Sequence, residues 1–281
     1  MGRIDDTFER LRSRGEAALI PYLMAGYPSL EVTKELLYAI VSAGADLVEL
    51  GIPFSDPLAD GATLQRASQR ALQGDVSLRR VLEMVASVRD RVSVPLVLMS
   101  YCNPLLRLGE ATFAREAAAA GVDGLIVPDL PVEETGALGR ACGDAGVAVV
   151  GMVAPTSPDE RIETIARGAS GFIYCVSLKG VTGARSRLPQ GVDRLVDRVR
   201  RATILPAVVG FGISSPDQVR AVTAFADGVV VASALLDRID REPLRGAQAA
   251  GQFVAELKSA CRGAAGRPKT VVAGNGDAGR G

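Results

Sequence analysis

Two carboxylates stand out for where the chain puts them. Glu49 interrupts the apolar run Leu47-Val48-Glu49-Leu50-Gly51-Ile52, and Asp60 ends the loop Pro53-Phe54-Ser55-Asp56-Pro57-Leu58-Ala59-Asp60 that follows. The run has the composition of a strand buried on both faces, where a charged side chain is rare without a partner or a chemical task. The chain has no histidine, so proton transfer falls to carboxylates, lysine, tyrosine or cysteine. A carboxyl in an apolar strand should hold its proton to higher pH and exchange it near neutrality, whereas a loop-exposed Asp60 should stay ionised. The plain structural alternatives are an internal ion pair for Glu49 and a helix cap for Asp60, ahead of the segment starting near Gly61.

Something must hold that pair in place. Short apolar runs at 19–25, 47–52, 96–100, 124–127, 148–153, 171–176, 207–210 and 228–231 read as strands. Between them, helical periodicity covers 30–43, 63–71 with 77–88, 111–120, 132–145, 159–167, 192–200 and 216–224, and a last helix covers 248–261. Gly44, Gly121, Gly146 and Gly168 stand where a left-handed residue would stop a helix. Ser215-Pro216-Asp217 is a start signal. Eight βα units with continuous apolar strands predict an α/β fold, a (β/α)8 TIM barrel. Residues 2–14 add an N-terminal helix across its base. The expected organisation is one catalytic domain over 1–262, then a Gly-rich, polar tail over 263–281 that has little to bury and should be disordered.

Composition excludes several functions. Lys+Arg and Asp+Glu both number 32 in 281 residues, so no basic surplus favours nucleic acid or an anionic membrane. Cys102, Cys142, Cys175 and Cys261 lack metal-ligand spacing, so no metal site is expected. The charged N-terminus does not read as a signal peptide, and the expected location is cytoplasmic.

In such barrels, functional residues project from the C-terminal strand ends and the loops beyond. Glu49 and Asp60 fit that rule. Three later loops favour an anion: Gly180-Val181-Thr182-Gly183, Gly210-Phe211-Gly212, and Ala232-Ser233-Ala234, the last able to open a short helix. Glycine lets backbone N–H groups approach a phosphate, and a helix N-terminus adds a favourable dipole.

The segment from Glu49 to Gly61 resembles the tryptophan synthase α chain family. So do Pro21-Tyr22-Leu23-Met24-Ala25-Gly26-Tyr27-Pro28, Val127-Pro128-Asp129-Leu130-Pro131-Val132-Glu133-Glu134, Gly180-Val181-Thr182-Gly183 and Gly210-Phe211-Gly212-Ile213-Ser214. The resemblance implies a lyase that cleaves indole-3-glycerol phosphate by a retro-aldol reaction to indole and glyceraldehyde 3-phosphate, in L-tryptophan biosynthesis. It implies Glu49 as the acid–base group and Asp60 as the partner of the indole N–H. Phosphate would be held by Gly183, Gly212, Ser233 and Ala234. Tyr22, Leu64, Met99, Ile126, Phe211 and Val230 would line the indole pocket. Tyr174 and Thr182 would border the site, Thr182 in a loop that closes over substrate. No cofactor is implied in this chain; the implied partner is a β chain carrying pyridoxal phosphate, in an α2β2 complex, facing Pro53, Asp56, Asn103 and Pro131.

The chain departs from the family pattern at Ala62, at Leu178 and at Ala232, where a methyl replaces the usual glycine and is expected to crowd the phosphate or shift its turn. Two rival readings remain at this level: an α-like subunit that only activates its β partner, and another phosphate-binding barrel enzyme.

Overall fold

The computed structural model describes residues 2–176, 191–210, 212–242 and 244–262. Its strands are β1 Ala18–Met24, β2 Val48–Gly51, β3 Leu96–Met99, β4 Gly124–Ile126, β5 Ala148–Val149, β6 Gly151–Val153, β7 Ile173–Val176, β8 Ala207–Gly210 and β9 Gly228–Val231. All pair in parallel, in the order β5-β4-β3-β2-β1-β9-β8-β7-β6. β5 and β6 end that order on opposite sides, yet only Val150 separates them in the chain. The ring therefore closes through the covalent backbone, and the two pieces are the fifth strand of the expected eight.

Gly151 explains the break. A Cβ there would lie 2.7 Å from Ile165 and 2.9 Å from Ala169, so only bare backbone admits the helix Asp159–Gly168 this close. Val150 donates its N–H to Leu125 on the β4 side, while Gly151 pairs with Ile173 of β7.

The outer helices form where their signals stand. Ser29, Ser77 and Ser215 each accept a backbone N–H in the first turn of the following helix. Gly44, Gly121 and Gly146 are left-handed, with φ of +101°, +86° and +76°. Gly168 is not: it is the last residue of its helix, the chain leaves through extended Ala169, and Gly171 makes the left-handed turn. The expected helix 132–145 is a 3-10 turn, Val132–Glu134, followed by a helix, Gly136–Asp144. A short helix, Cys102–Leu108, was not legible because Asn103-Pro104 reads as a turn. Proline is harmless there, since the first-turn N–H groups have no helical partner.

The N-terminal helix, Arg3–Ser13, closes the base as expected. Ile4, Phe8 and Leu11 share one buried face, and the Phe8 ring lies 6.0 Å from Phe172, itself 6.5 Å from Tyr174. Phe8→Ala should remove this stopper at a cost of about 3–5 kcal/mol; urea unfolding followed by circular dichroism would read the loss. Beside it, Lys258 reaches buried Asp46 at 2.8 Å and Glu16 at 3.3 Å, tying the last helix, Gly246–Ser259, to the start of β1.

Among the described residues no helix is long and apolar enough to cross a membrane, and no cluster of side chains could hold a metal ion.

Candidate active site

Glu49 lies in β2, in register with Tyr22 of β1 and Val97 of β3. It is 2% exposed, and its Oε2 has no hydrogen-bond partner among the described residues. Among the same residues no ion pair reaches it either. It shares a face of β2 with Gly51, two residues on, where a Cβ would meet the Tyr22 hydroxyl, and its charge acts on both Tyr22 and Tyr174. β2 and β7 stand four strands apart in the ring, so the side chain points across the interior and not into the helix layer.

Burial, with a smaller contribution from the Asp60 charge, pushes the Glu49 carboxyl up to about 8. Asp60 is half-buried, not loop-exposed as expected. Burial raises it to about 6, and a hydrogen bond from Tyr101 opposes that rise. The two carboxyls thus keep the expected order, with a narrower gap: near neutrality Glu49 carries its proton and Asp60 is ionised. Asp60 is not the side-chain cap of the next helix, Ala62–Leu72, whose N-cap is Gly61.

Two glycines aim the tyrosines. A Cβ on Gly51 would lie 1.9 Å from the Tyr22 hydroxyl, and one on Gly210 would lie 2.4 Å from that of Tyr174. Gly51 is the register partner of Met24, and Gly210 that of Val176. In both cases the ring leans toward the C-terminal end of its strand and lies over bare backbone on the neighbouring strand. Gly51→Ala should therefore displace the Tyr22 ring, destabilise the chain by about 1–3 kcal/mol and depress turnover. Adding Tyr22→Leu should restore part of the stability, a non-additivity that a double-mutant cycle of unfolding measurements would expose.

The other expected residues fall into two groups. Ile126 and Val230 are buried at the ends of β4 and β9; Met99, at the end of β3, and Leu64, on Ala62–Leu72, pack partly buried against the core. Gly212 follows β8 with φ +53° and open space where a Cβ would be. Ser233 and Ala234 open the helix Ser233–Arg241, in which Leu235 and Leu236 already donate to the Ala232 carbonyl. The amides of Ser233 and Ala234 thus stand at a helix N-terminus, free of the helical ladder. Ala232, the N-cap of this helix, has φ −114° and ψ −84°, and it packs partly buried against the core. Thr182, Gly183, Phe211, Leu178 and the tail 263–281 lie outside the described residues.

At the rim, Asp56, Asn103 and Pro131 are exposed, but Pro53 is buried. The exposed part of that loop begins at Ser55, because Pro53 continues directly from the barrel wall. Leu58, 82% exposed, lies in the same loop as Asp56, and Leu106, 55% exposed, lies in the same short helix as Asn103. Tyr101 was missed. Its only sequence signal is an aromatic residue just past the end of a strand.

The chain matches the family model described as "Tryptophan synthase alpha chain" over residues 8–265. The chain belongs to the tryptophan synthase alpha chain family. The alpha chain of Roseiflexus castenholzii is 54% identical over 260 residues, covering 92% of this chain and 100% of that one. The alpha chain of Chloroflexus aggregans is 51% identical over 262 residues, covering 92% and 98%. A crystal structure of the tryptophan synthase alpha subunit of Legionella pneumophila superposes with a TM-score of 0.86 at 37% identity, covering 93% and 98%. This protein is accordingly a carbon–carbon lyase of tryptophan biosynthesis, acting on indole-3-glycerol phosphate. Membership in the family also implies partnership with a beta chain, where the family's pyridoxal phosphate resides.

Proposed function

We propose that Glu49 and Asp60 carry the retro-aldol cleavage of indole-3-glycerol phosphate to indole and glyceraldehyde 3-phosphate in this chain. Glu49, protonated near neutrality, gives its proton to indole C3. The ring becomes an indolenine cation, and the Asp60 carboxylate accepts the indole N–H hydrogen bond and steadies the positive charge. The bond from C3 to the glycerol chain then breaks, its electrons returning to the ring. Glu49, now a carboxylate, takes the proton of the adjacent glycerol hydroxyl as that carbon becomes the aldehyde. One residue serves as acid and then base, and the second holds charge.

The observation that carries this reading is the buried Glu49 oxygen, without a hydrogen-bond partner among the described residues, held at a higher pKa than the nearby Asp60 carboxyl. Tyr22, Leu64, Met99, Ile126, Tyr174 and Val230 would enclose the indole ring with Phe211. Gly212, Ser233 and Ala234 would hold the phosphate with Gly183, while Thr182 would close the site. The reading assigns catalysis to one domain, residues 1–262, acting in the cytoplasm without a cofactor of its own.

The beta partner would cap the rim bearing Asp56, Asn103 and Pro131, with exposed Leu58 and Leu106 as its apolar contacts and Pro53 supporting that loop from beneath, in an α2β2 complex. Steady-state release of indole from indole-3-glycerol phosphate tests the whole. It should be slow for the isolated chain and rise when beta chain is added. Stimulation of the beta chain without any cleavage would overturn the proposal.

A further inference from the structure

The loop from Pro53 to Asp60 is gripped at both ends by one side chain from another strand. Tyr101 is buried just beyond β3, and its ring stacks on Phe54 with centroids 5.1 Å apart and planes 24° from parallel. At the other end of the loop, the Ala59 N–H donates to the Tyr101 hydroxyl at 3.0 Å. That bond occupies a lone pair of the phenol oxygen and leaves its own O–H to be donated, and it faces the Asp60 carboxylate.

We propose that Tyr101 is a positioning residue that holds the Asp60 carboxylate at the mouth of the ring, turned toward Glu49. The inference rests on the reading of Asp60 as the group that meets the indole N–H.

The anchorage of Tyr101 suits the task. The residue before it, Ser100, is fully buried and donates its N–H to Ile126 of β4. The residue after it, Cys102, donates its N–H to the Asp129 carboxylate at 2.9 Å. Tyr101 therefore stands on the barrel wall, whereas Asp60 ends a loop in which Ser55, Asp56, Leu58 and Ala59 are exposed. Phe54 is itself clamped, its N–H and carbonyl both bound to the Ser68 hydroxyl at 2.9 Å. The stack thus fixes one end of the loop and the phenol oxygen the other. Among the described residues, the other titratable groups on which the Asp60 charge acts are Glu49 from β2, Tyr22 from β1 and Tyr174 from β7. Tyr101 is the group that offsets burial at Asp60, and it favours the ionised form because a carboxylate accepts its proton better than a carboxylic acid does.

Tyr101→Phe keeps the ring on Phe54 and removes only the oxygen. In the complex with beta chain, kcat at neutral pH should fall about ten- to hundredfold, the range of a hydrogen bond to a charged group, with KM little changed. The acid limb of the pH–kcat profile, set by Asp60, should move upward by about one pH unit, so part of the activity returns toward pH 8. A purely structural role would lower kcat equally at every pH, and that result, or an unchanged profile, overturns the inference. Phe54→Leu, which removes the stack and leaves the hydroxyl, should lower kcat without moving that limb; a moved limb counts against the assignment to the oxygen. Asp60→Asn run alongside separates the two claims. If it is inactive while Tyr101→Phe is unshifted, only this inference fails; if it is fully active, the reading of Asp60 fails as well.

Discussion

Replacing Glu49 with glutamine should abolish turnover and at the same time make the protein more stable. The first effect follows because glutamine keeps the shape and hydrogen-bonding capacity of the protonated acid but cannot give up a proton. Loss of a positioned general acid–base typically costs about 10²–10⁴ in rate, and here one residue would act in both directions, so the upper end is expected. The second effect follows from linkage. The carboxyl is raised to about 8 in the folded chain against roughly 4.5 when unfolded, so between those values the folded state binds the extra proton. Stability from this group is greatest below pH 4.5 and is lost as pH rises toward 8. At pH 7 the accumulated loss is about 3 kcal/mol, taking roughly 1.4 kcal/mol per pH unit. Glu49→Gln escapes it. Unfolding by denaturant should show parent and variant alike near pH 4.5 and the variant ahead by about that amount at pH 7. A variant no more stable than the parent at pH 7 would mean that the acid is not held in so apolar a setting.

The second large loss is expected for Asp60→Asn. The asparagine still offers an oxygen to the indole N–H, so substrate should bind with little change in KM. It cannot balance the positive charge that appears when C3 is protonated, and a charge-stabilising contact of this kind is worth about 10²–10³ in kcat. In the parent, kcat should follow a bell, needing Asp60 ionised above about 6 and Glu49 protonated below about 8. The variant's residual activity should lose the acid limb and keep the alkaline one. Rapid-quench measurement of indole across pH 5–9 tests both limbs at once. An intact acid limb in Asp60→Asn would reassign that titration to another group.

Much of this was legible before any coordinates. An acidic residue in an apolar strand has few physical excuses, so Glu49 identified itself, and the barrel followed from continuous apolar runs separated by helical periods. What stayed hidden depends on distances that spacing does not encode. The break at Val150 exists because Gly151 lets Ile165 and Ala169 press against the wall, a contact between segments with no local signature. The helix Cys102–Leu108 was masked by Asn103-Pro104, since proline marks a turn and a helix's first turn alike. Asp60 was expected to be exposed because it ends a loop; the structure half-buries it, in a loop held by Tyr101 from beyond another strand. Apart from that short helix, composition gave the element and tertiary approach decided its detail.

The N-terminal helix gives the reaction chamber a direction. With Ile4, Phe8, Leu11 and Phe172 stacked beneath Tyr174, the vessel is blind at one end. Among the described residues that base is closed by apolar packing, so an apolar product freed above it is directed toward the strand-end rim. With the beta chain capping that rim, as proposed, the destination of indole would be set by the cap and not by the groups that release it.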